Sequence, residues 1–501
     1  MSQNNNFILI IDYSTVSVKF HIFNTEGAII FKKSLKHLKA DELSKPEILW
    51  DNLCQRIKTT LKQAEITNIK GIGVTAQLGM VPVDVNGKAI GPILNWQDNR
   101  AQKQSEEIKE LIGENDIYNI TGHRMSFEST AAKILWFKQE QKDIFDNTYK
   151  FLTIKDYIIY KLTGEFVIDY THASYSLLYD IKKREWSKEI IKALDIDIYK
   201  LPDVYASHQI AGNIRKEFSI ITAIPSNALV SVGGPDGSIG TLGAGLIETG
   251  KAVNLIGTTD VFFTCCEKPI LDQKMRTVVN CHIVPGLYSI GGPMSYSGGC
   301  LQWLVDQFAK HKKSEAKKQD YSVYDLFNKK AAKIEPGSKG LIFFTSLVGE
   351  RAPAWDPQFK GSIIGLTPEH KIGHLVRAVM EGSSFAVKQM IDIIEQDLNI
   401  DINEVTMIGG GAKSNLWQQI RSDITGKSYL TTKINEATSF GAFLTVVLAL
   451  GIFKDYQTAQ EQLIEISNTT YTGEENYDKY QNIYRKYCSA YQLLKKFYHK
   501  Y

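Results

Sequence analysis

The sequence predicts an α/β protein in two halves, built on one plan and packed around a cleft. Three observations carry that reading. Apolar strands alternate with helical stretches, several of them joined by glycine turns. Residues 7–12, a polar turn and residues 18–23 at the start are matched past the middle by residues 252–256, Gly257-Thr258-Thr259-Asp260 and residues 261–265. Between the two, residues 233–250 hold seven glycines, a composition break that places the junction near 245–250. The halves are therefore taken as 1–246 and 247–501, with no low-complexity linker between them.

In chain order, residues 7–12 read as a buried strand, 13–17 as a tight polar turn and 18–23 as the returning strand. Residues 24–27 turn again and 28–32 form a third strand. Pro46–Ala64 reads as a helix, 71–75 as another buried strand, and 133–146 and 155–162 as helices. Past the junction, 340–344 reads as a strand and 371–396 as a long helix. Residues 405–408 form a strand that ends in Gly409-Gly410-Gly411, and 414–425 a helix. The apolar run 440–453 is 14 residues long. A bilayer span needs about 20, so it reads as a buried helix. Tyr477, Tyr480, Tyr484, Tyr487, Tyr491, Leu494 and Tyr498 recur every three or four residues, one face of a helix. Aromatic and basic residues interleaved in this way can bind nucleic acid; packing on the body of the protein is the expected use.

Composition narrows function further. Hydrophobic residues at 43% and charged residues at 23% exclude a disordered or fibrous chain. A net charge of +3, from 58 basic and 55 acidic side chains, gives no electrostatic case for nucleic acid or a membrane surface. The six cysteines are scattered, with no CxxC pair for a disulfide framework or zinc. The opening MSQNNNFILII lacks the charged segment and cleavage site of a signal peptide, so the cytoplasm is the expected compartment.

Three turns rich in glycine or hydroxyl residues, each after an apolar strand, can aim N–H groups and hydroxyls at a phosphate. Two apparent motifs fail. Residues 245–252 approach GxxxxGK[ST], but Ala252 stands where a hydroxyl must meet magnesium, and a strand follows where a helix is needed. Gly409-Gly410-Gly411 lacks the spacing of a dinucleotide fingerprint. Asp236, in Val-Gly-Gly-Pro-Asp-Gly-Ser, lies just after a buried run. It is either a general base for a substrate hydroxyl or the cap of a following helix. Asp12 either holds a metal-bound water or bonds to its own turn. Lys19 lies on the returning strand, where a solvated edge charge is the plain alternative.

Residues 361–366 (GSIIGL) with 374–381 (HLVRAVME), residues 133–136 (KILW) and residues 349–357 (GERAPAWDP) are the most specific stretches. Through them the chain resembles the FGGY carbohydrate kinases, of the actin-like ATPase superfamily, over essentially its whole length. The last stretch is similar to one in xylulokinases and gluconokinases. The resemblance implies two actin-like (ribonuclease H-like) domains, each a mixed β-sheet with flanking helices, around a central cleft. It implies ATP and Mg2+, with Asp236 as the general base and Asp12 and Asp236 near the metal through water. Thr15, Ser17 and Lys19 fall on the first phosphate loop, and Gly257, Thr258 and Thr259 on the second. Gly298 and Gln302 fall on nucleotide-contacting positions, and Gly410, Gly411 and Asn415 on the adenosine turn.

This sequence departs from the family at three places. The first loop reads Asp12-Tyr13-Ser14-Thr15, where the family has glycine before the threonine. Gln77-Leu78-Gly79 replaces the Gln-Met-His of xylulokinases and the Gln-Arg-Glu of glycerol kinases, which read substrate hydroxyls. Gly237 replaces an Asn or Gln. The acceptor pocket is therefore altered on two sides: it is wider, or its contacts come from elsewhere, with Gln97, Asp98, Arg100 and Glu128 as candidates by family position. The expected activity is ATP-dependent phosphorylation of a small sugar, a ketopentose first, with gluconate, another pentulose or a polyol as alternatives. A catalytically silent sugar- or nucleotide-binding relative is the reading of another class. A homodimer is expected from the resemblance.

Overall fold

The computed structural model describes residues 6–37, 44–309 and 322–500. At the amino end the apolar runs pair with one another. Strands β1 (Phe7–Tyr13) and β2 (Ser17–Asn24) form an antiparallel hairpin, and β3 (Ile29–Lys36) adds to β2. On the other side of β1 lies β4 (Ile69–Ala76), parallel to it. Strands β5 (Ile210–Asn213) and β6 (Leu229–Ser231) complete the order β5-β6-β4-β1-β2-β3, with β6 parallel to β4 and β5 antiparallel to β6. Strands β1 and β4 are almost wholly buried, which explains why they read as continuous apolar runs rather than as alternation.

The second half repeats the plan. Strands β7 (Gly250–Ile256), β8 (Thr259–Cys266), β9 (Val278–Cys281), β10 (Tyr288–Tyr296), β11 (Ile402–Gly409), β12 (Ser428–Thr432) and β13 (Ile466–Thr470) run in the order β9-β10-β8-β7-β11-β12-β13. In each sheet an antiparallel meander of three strands (β3-β2-β1 and β10-β8-β7) meets two parallel strands and then an antiparallel edge. The match of layout in the sequence is thus a match of topology.

Helices α1 (Pro46–Ala64), α2 (Thr130–Glu140), α3 (Ile154–Thr163), α4 (Tyr170–Tyr175) and α5 (Asp236–Gly243) belong to the first half. Helices α6 (Gly298–Phe308), α7 (Ile372–Asp392), α8 (Asn415–Thr425), α9 (Ala437–Ala449) and α10 (Glu474–Lys500) belong to the second. The helix expected over 133–146 is two. It starts early, capped by Ser129, whose Oγ accepts from the Ala132 N–H, and breaks at Gln141 (φ −139°) before a short helix Lys142–Asn147. The long helix expected to Gln396 is α-helical only to Asp392, then winds wider through Ile393–Asp397.

Helix α9 carries most of the apolar run 440–453. It crosses to the first sheet, where Phe440, Phe443 and Val446 join Ile8, Ile10 and Phe23 in one cluster. Against α5 it packs backbone to backbone: a Cβ on Gly243 would lie 1.9 Å from Ala437 O, and one on Gly441 2.0 Å from Ile239 O. This apolar seam fixes the two halves against each other. The tyrosine stripe of α10 also packs, with Tyr480, Tyr487 and Tyr491 buried and the Tyr480 hydroxyl donating to Glu381 Oε1 at 2.8 Å. Among the described residues no helix is long and apolar enough to cross a membrane.

Candidate active site

The first hairpin turn stands at the cleft. Asp12 ends β1 in register with Lys19 of β2, whose Nζ lies 3.8 Å from its carboxylate. The same Nζ lies 3.4 Å from Glu436, just before α9, so residues of both halves meet there. Burial pushes the Asp12 carboxyl up to about 6; Lys19 opposes the shift and Glu436 adds to it. Ser14 occupies the family's glycine position with an ordinary backbone, and no residue of this turn has positive φ. Its hydroxyl donates to Ser17 O at 2.8 Å and holds the turn closed. The Thr15 hydroxyl donates to Gln77 Oε1 at 2.6 Å and accepts from Trp96 Nε1 at 3.1 Å, tying the first hairpin turn to the segments that carry Gln77 and Trp96.

Asp236 opens α5 directly after the Gly234–Pro235 bridge to β4. Its Oδ1 accepts the Gly237 N–H at 2.7 Å. The carboxylate is enclosed by protein yet opens to the cleft. Desolvation, then the neighbouring negative Asp12, raise it to about 7. Two carboxylates raised mainly by burial, with Asp12 adding to the shift of Asp236 and Lys19 beside them, suit a divalent cation and a polyphosphate.

The second turn and the glycine-rich segments converge from the other half. The Ser297 and Gly299 N–H groups both donate to Thr258 O, at 3.1 and 2.9 Å, which brings the start of α6 against Gly257-Thr258-Thr259. Only glycine fits at 298, where a Cβ would lie 2.3 Å from Gly257 O. Gly411 rests on Ile256, the residue before the turn. Asn415 begins α8, exposed, behind the cap Ser414. A cavity of about 430 Å³ joins Lys19, Glu436, Gly409, Gly410 and Lys413 across the halves. The Gln302 amide is engaged locally, with Nε2 donating to Asp306 at 2.7 Å and Oε1 accepting from Tyr324.

On the acceptor side a small recess is lined by Leu78, Gly79, Glu128, Lys133, His172 and Tyr175. It is not widened at 79, because a Cβ there would lie 2.6 Å from Ile154 Cδ1. Gln77 is buried, and its Nε2 has no protein partner, a donor aimed at something other than protein. Gly237, by contrast, faces open space. Asp98 and Arg100 bond to each other at 2.8 Å, and the guanidinium lies 4.8 Å over Trp136, so this pair is self-contained. Gln97 is exposed, its N–H held by Asn95.

Several further residues meet at the site; Lys133 and Arg351 lie in the stretches 133–136 and 349–357 marked out in the sequence, whereas Tyr175, His123 and His172 carried no sequence signal. Tyr175 shares a 3.3 Å hydrogen bond with Ser238 of α5, and His123 donates to Asn280 at 2.6 Å while packing on the Tyr175 ring. His172 is held neutral by burial, lowered to about 3. Lys133 donates to Asn95 O and Glu128 O, both at 2.9 Å. Arg351 reaches Glu128 from the other half, at 3.4 Å. All five depend on tertiary approach.

The doubled sheet plan, with its turns facing one cleft, defines the actin-like ATPase fold. Residues 7–243 match the N-terminal domain of the FGGY family of carbohydrate kinases and residues 252–450 its C-terminal domain. The chain belongs to this family, and it is an ATP-dependent sugar kinase. It is 31% identical to a xylulose kinase of Staphylococcus epidermidis over 445 residues, covering 88% of this chain and 86% of the relative. It is 28% identical to a gluconokinase of Bacillus subtilis over 465 residues, covering 91% and 90%. In fold it matches the ligand-bound xylulose kinase of Lactobacillus acidophilus with TM-score 0.89 at 24% identity, covering 99% of each chain.

Proposed function

We propose that the protein transfers the γ-phosphoryl group of ATP to a hydroxyl of a ketopentose, with gluconate, another pentulose or a polyol as the next candidates. Relatives bearing the names xylulose kinase and gluconokinase support this range. The observation that carries the reading is Asp236: a carboxylate raised to about 7, near Asp12 and near Tyr175, which lines the acceptor recess. It takes the proton of the attacking hydroxyl. The oxygen then bonds to the γ-phosphorus as the bond to the β–γ bridging oxygen breaks, releasing ADP.

Thr15, Ser17 and Lys19 on the first turn, and Gly257, Thr258 and Thr259 on the second, hold the phosphates. Gly298, Gln302, Gly410, Gly411 and Asn415 hold the nucleoside. Asp12 and Asp236 would hold Mg2+, which when bound would supply charge neutralisation to the phosphates. Gln77 and Glu128 bind the acceptor in the recess walled by Leu78 and Gly79, Gly237 leaves room beside the base, and Asp98 with Arg100 braces the rim. The lobes divide at 246/247 and exclude water, which competes as acceptor. The dependence on ATP suits the cytoplasm, and a homodimer is the assembly we expect.

The test is ADP release with Mg-ATP across ketopentoses, aldonates, polyols and hexoses, with Asp236→Asn alongside. One sugar should stimulate release, and the variant should lose about 10²–10⁴-fold in turnover with ATP affinity kept. Sugar phosphorylation unchanged in the variant would sink the base assignment. ATP binding without any active sugar would favour a silent relative.

A further inference from the structure

The acceptor side has lost its polar reader at 78 and 79, and at 79 the structure leaves no room for a side chain. Ile154 and Asn95 fill the space beside Gly79. The polar edge of the recess is instead made by Glu128, and Glu128 is met by Arg351 from the opposite half. We infer that Arg351 and Glu128 together read the acceptor across the cleft, and that their pairing selects neutral polyhydroxy acceptors over aldonates. This rests on the kinase reading above and names the acceptor class of the same site.

Stability does not account for the pair. Its atoms are 3.4 Å apart, with the Arg351 and Glu128 side chains 40% and 27% exposed. A pair this open contributes roughly 0–1 kcal/mol. Yet the loop that presents Arg351 is fastened on both flanks. The Glu350 carboxylate accepts from Ser346 Oγ at 2.9 Å and from the Tyr491 hydroxyl at 2.6 Å. The Glu350 N–H donates to Asp356 O at 2.7 Å, the Ala352 N–H donates to Pro293 O at 3.0 Å, and His499 Nε2 donates to Asp356 at 2.6 Å. Two of these fasteners, Tyr491 and His499, come from the C-terminal helix α10. A long cation held at its base, whose tip rests through one open contact on Glu128 of the recess wall, is suited to touch a ligand there.

The charge inventory sets the selectivity. Lys133 is spent on two carbonyls, Arg100 on Asp98, and Arg351 on Glu128. His172 and His123 are neutral by burial. Every cation facing the recess therefore already has an oxygen partner. An aldonate would bring its carboxylate toward two carboxylates, Glu128 and Asp236, and would have to compete with Glu128 for Arg351, whereas hydroxyls can donate to Glu128 and accept from the remaining Arg351 N–H groups with that pair intact.

The experiment is steady-state kinetics of the full chain with a ketopentose and with an aldonate, measuring KM for acceptor and ATP separately. The wild type should favour the ketopentose in kcat/KM. Arg351→Ala should raise acceptor KM at least tenfold, with ATP KM within twofold and Tm unchanged; Arg351→Lys should recover part. Glu128→Gln, which leaves Arg351 without its carboxylate, should shift the aldonate-to-ketopentose ratio at least tenfold toward the aldonate. An acceptor KM unmoved by Arg351→Ala, or a wild type that prefers the aldonate, overturns the inference and leaves the kinase intact. A wild type with no sugar-dependent ADP release overturns the kinase reading and this inference with it.

Discussion

Each half carries the hairpin with an aspartate beside its turn, on the first strand in one half and on the returning strand in the other, and the two are used oppositely. In the first, Asp12 ends β1 and faces the cleft, with only Lys19 at 3.8 Å to offset its charge. In the second, Asp260 lies at the start of β8 and turns inward. Arg421 Nη2 meets its Oδ2 at 2.7 Å, with both residues buried, and Asn254 Nδ2 donates to the other oxygen at 3.1 Å. The first carboxylate is left under-compensated at the cleft, where we propose that substrates bind. The second is locked into the core beneath α8. Duplication of a frame therefore does not duplicate chemistry: what a strand-end acid does is set by the partners its half supplies.

The hardest way to break this comparison is to neutralise Asp260. Asp260→Asn strands the Arg421 guanidinium in the core, where Nε and Nη1 already lack partners. Removing one member of a buried pair costs about 3–5 kcal/mol. Urea unfolding should show a loss of that size, and Asp260→Asn combined with Arg421→Gln should recover part of it. If Asp260→Asn keeps full stability but loses catalysis, the two hairpins are functionally alike and the contrast fails.

The next effect falls on the glycines beside the two turns. Gly298→Ala would push a methyl to 2.3 Å from Gly257 O, and backbone on both sides leaves no flexible end to yield. The second turn must shift. We expect ATP KM to rise about 10–100-fold, that is about 1.4–2.8 kcal/mol, with acceptor KM nearly unchanged. Calorimetric titration of ATP measures it directly; wild-type affinity would mean that the second turn does not hold phosphate.

Much of this was legible in the sequence, because strands buried on both faces must be apolar throughout and the turns between them polar. The repeated hairpin, Asp236 after its buried run and the packed tyrosine stripe follow from local pattern. The Gln141 break did not, since the residues on either side keep helical spacing. Nor did Glu436, His172, Tyr175 or Trp96, which reach the site from segments distant in the chain. The widened pocket allowed for at Gly79 is closed by Ile154, a neighbour that only the fold supplies.

pH sharpens the contrast between the under-compensated and the locked acid. Asp12 and Asp236 titrate near 6 and 7 in the folded chain against about 3.8 unfolded. Between those values the folded state binds more protons, so stability of the ligand-free protein falls as pH rises from about 4 to about 7. Because the cleft admits water, the loss at pH 8 should be on the order of 1–2 kcal/mol, less than the shifts alone imply at about 1.4 kcal/mol per unit. Asp236→Asn should flatten the slope and stabilise the ligand-free protein at pH 8. A steeper slope in that variant would place the charge strain elsewhere.

The smallest effect tests the open side of the floor. Gly237 follows the base, and no atom lies within 4 Å of where its Cβ would be, unlike Gly298 beside the second turn. Gly237→Asn therefore meets no clash. Lying at the exposed first turn of α5, it should change stability by no more than about 0.5 kcal/mol. Its amide would reach into the space beside Asp236, where one more hydrogen bond contributes about 0.5–1.5 kcal/mol. Acceptor KM should fall about two- to tenfold, with ATP KM constant. A rise in acceptor KM instead would show that the acceptor itself already fills the space left by Gly237. The missing side chain would then be a fit to a bulkier substrate rather than a lost contact.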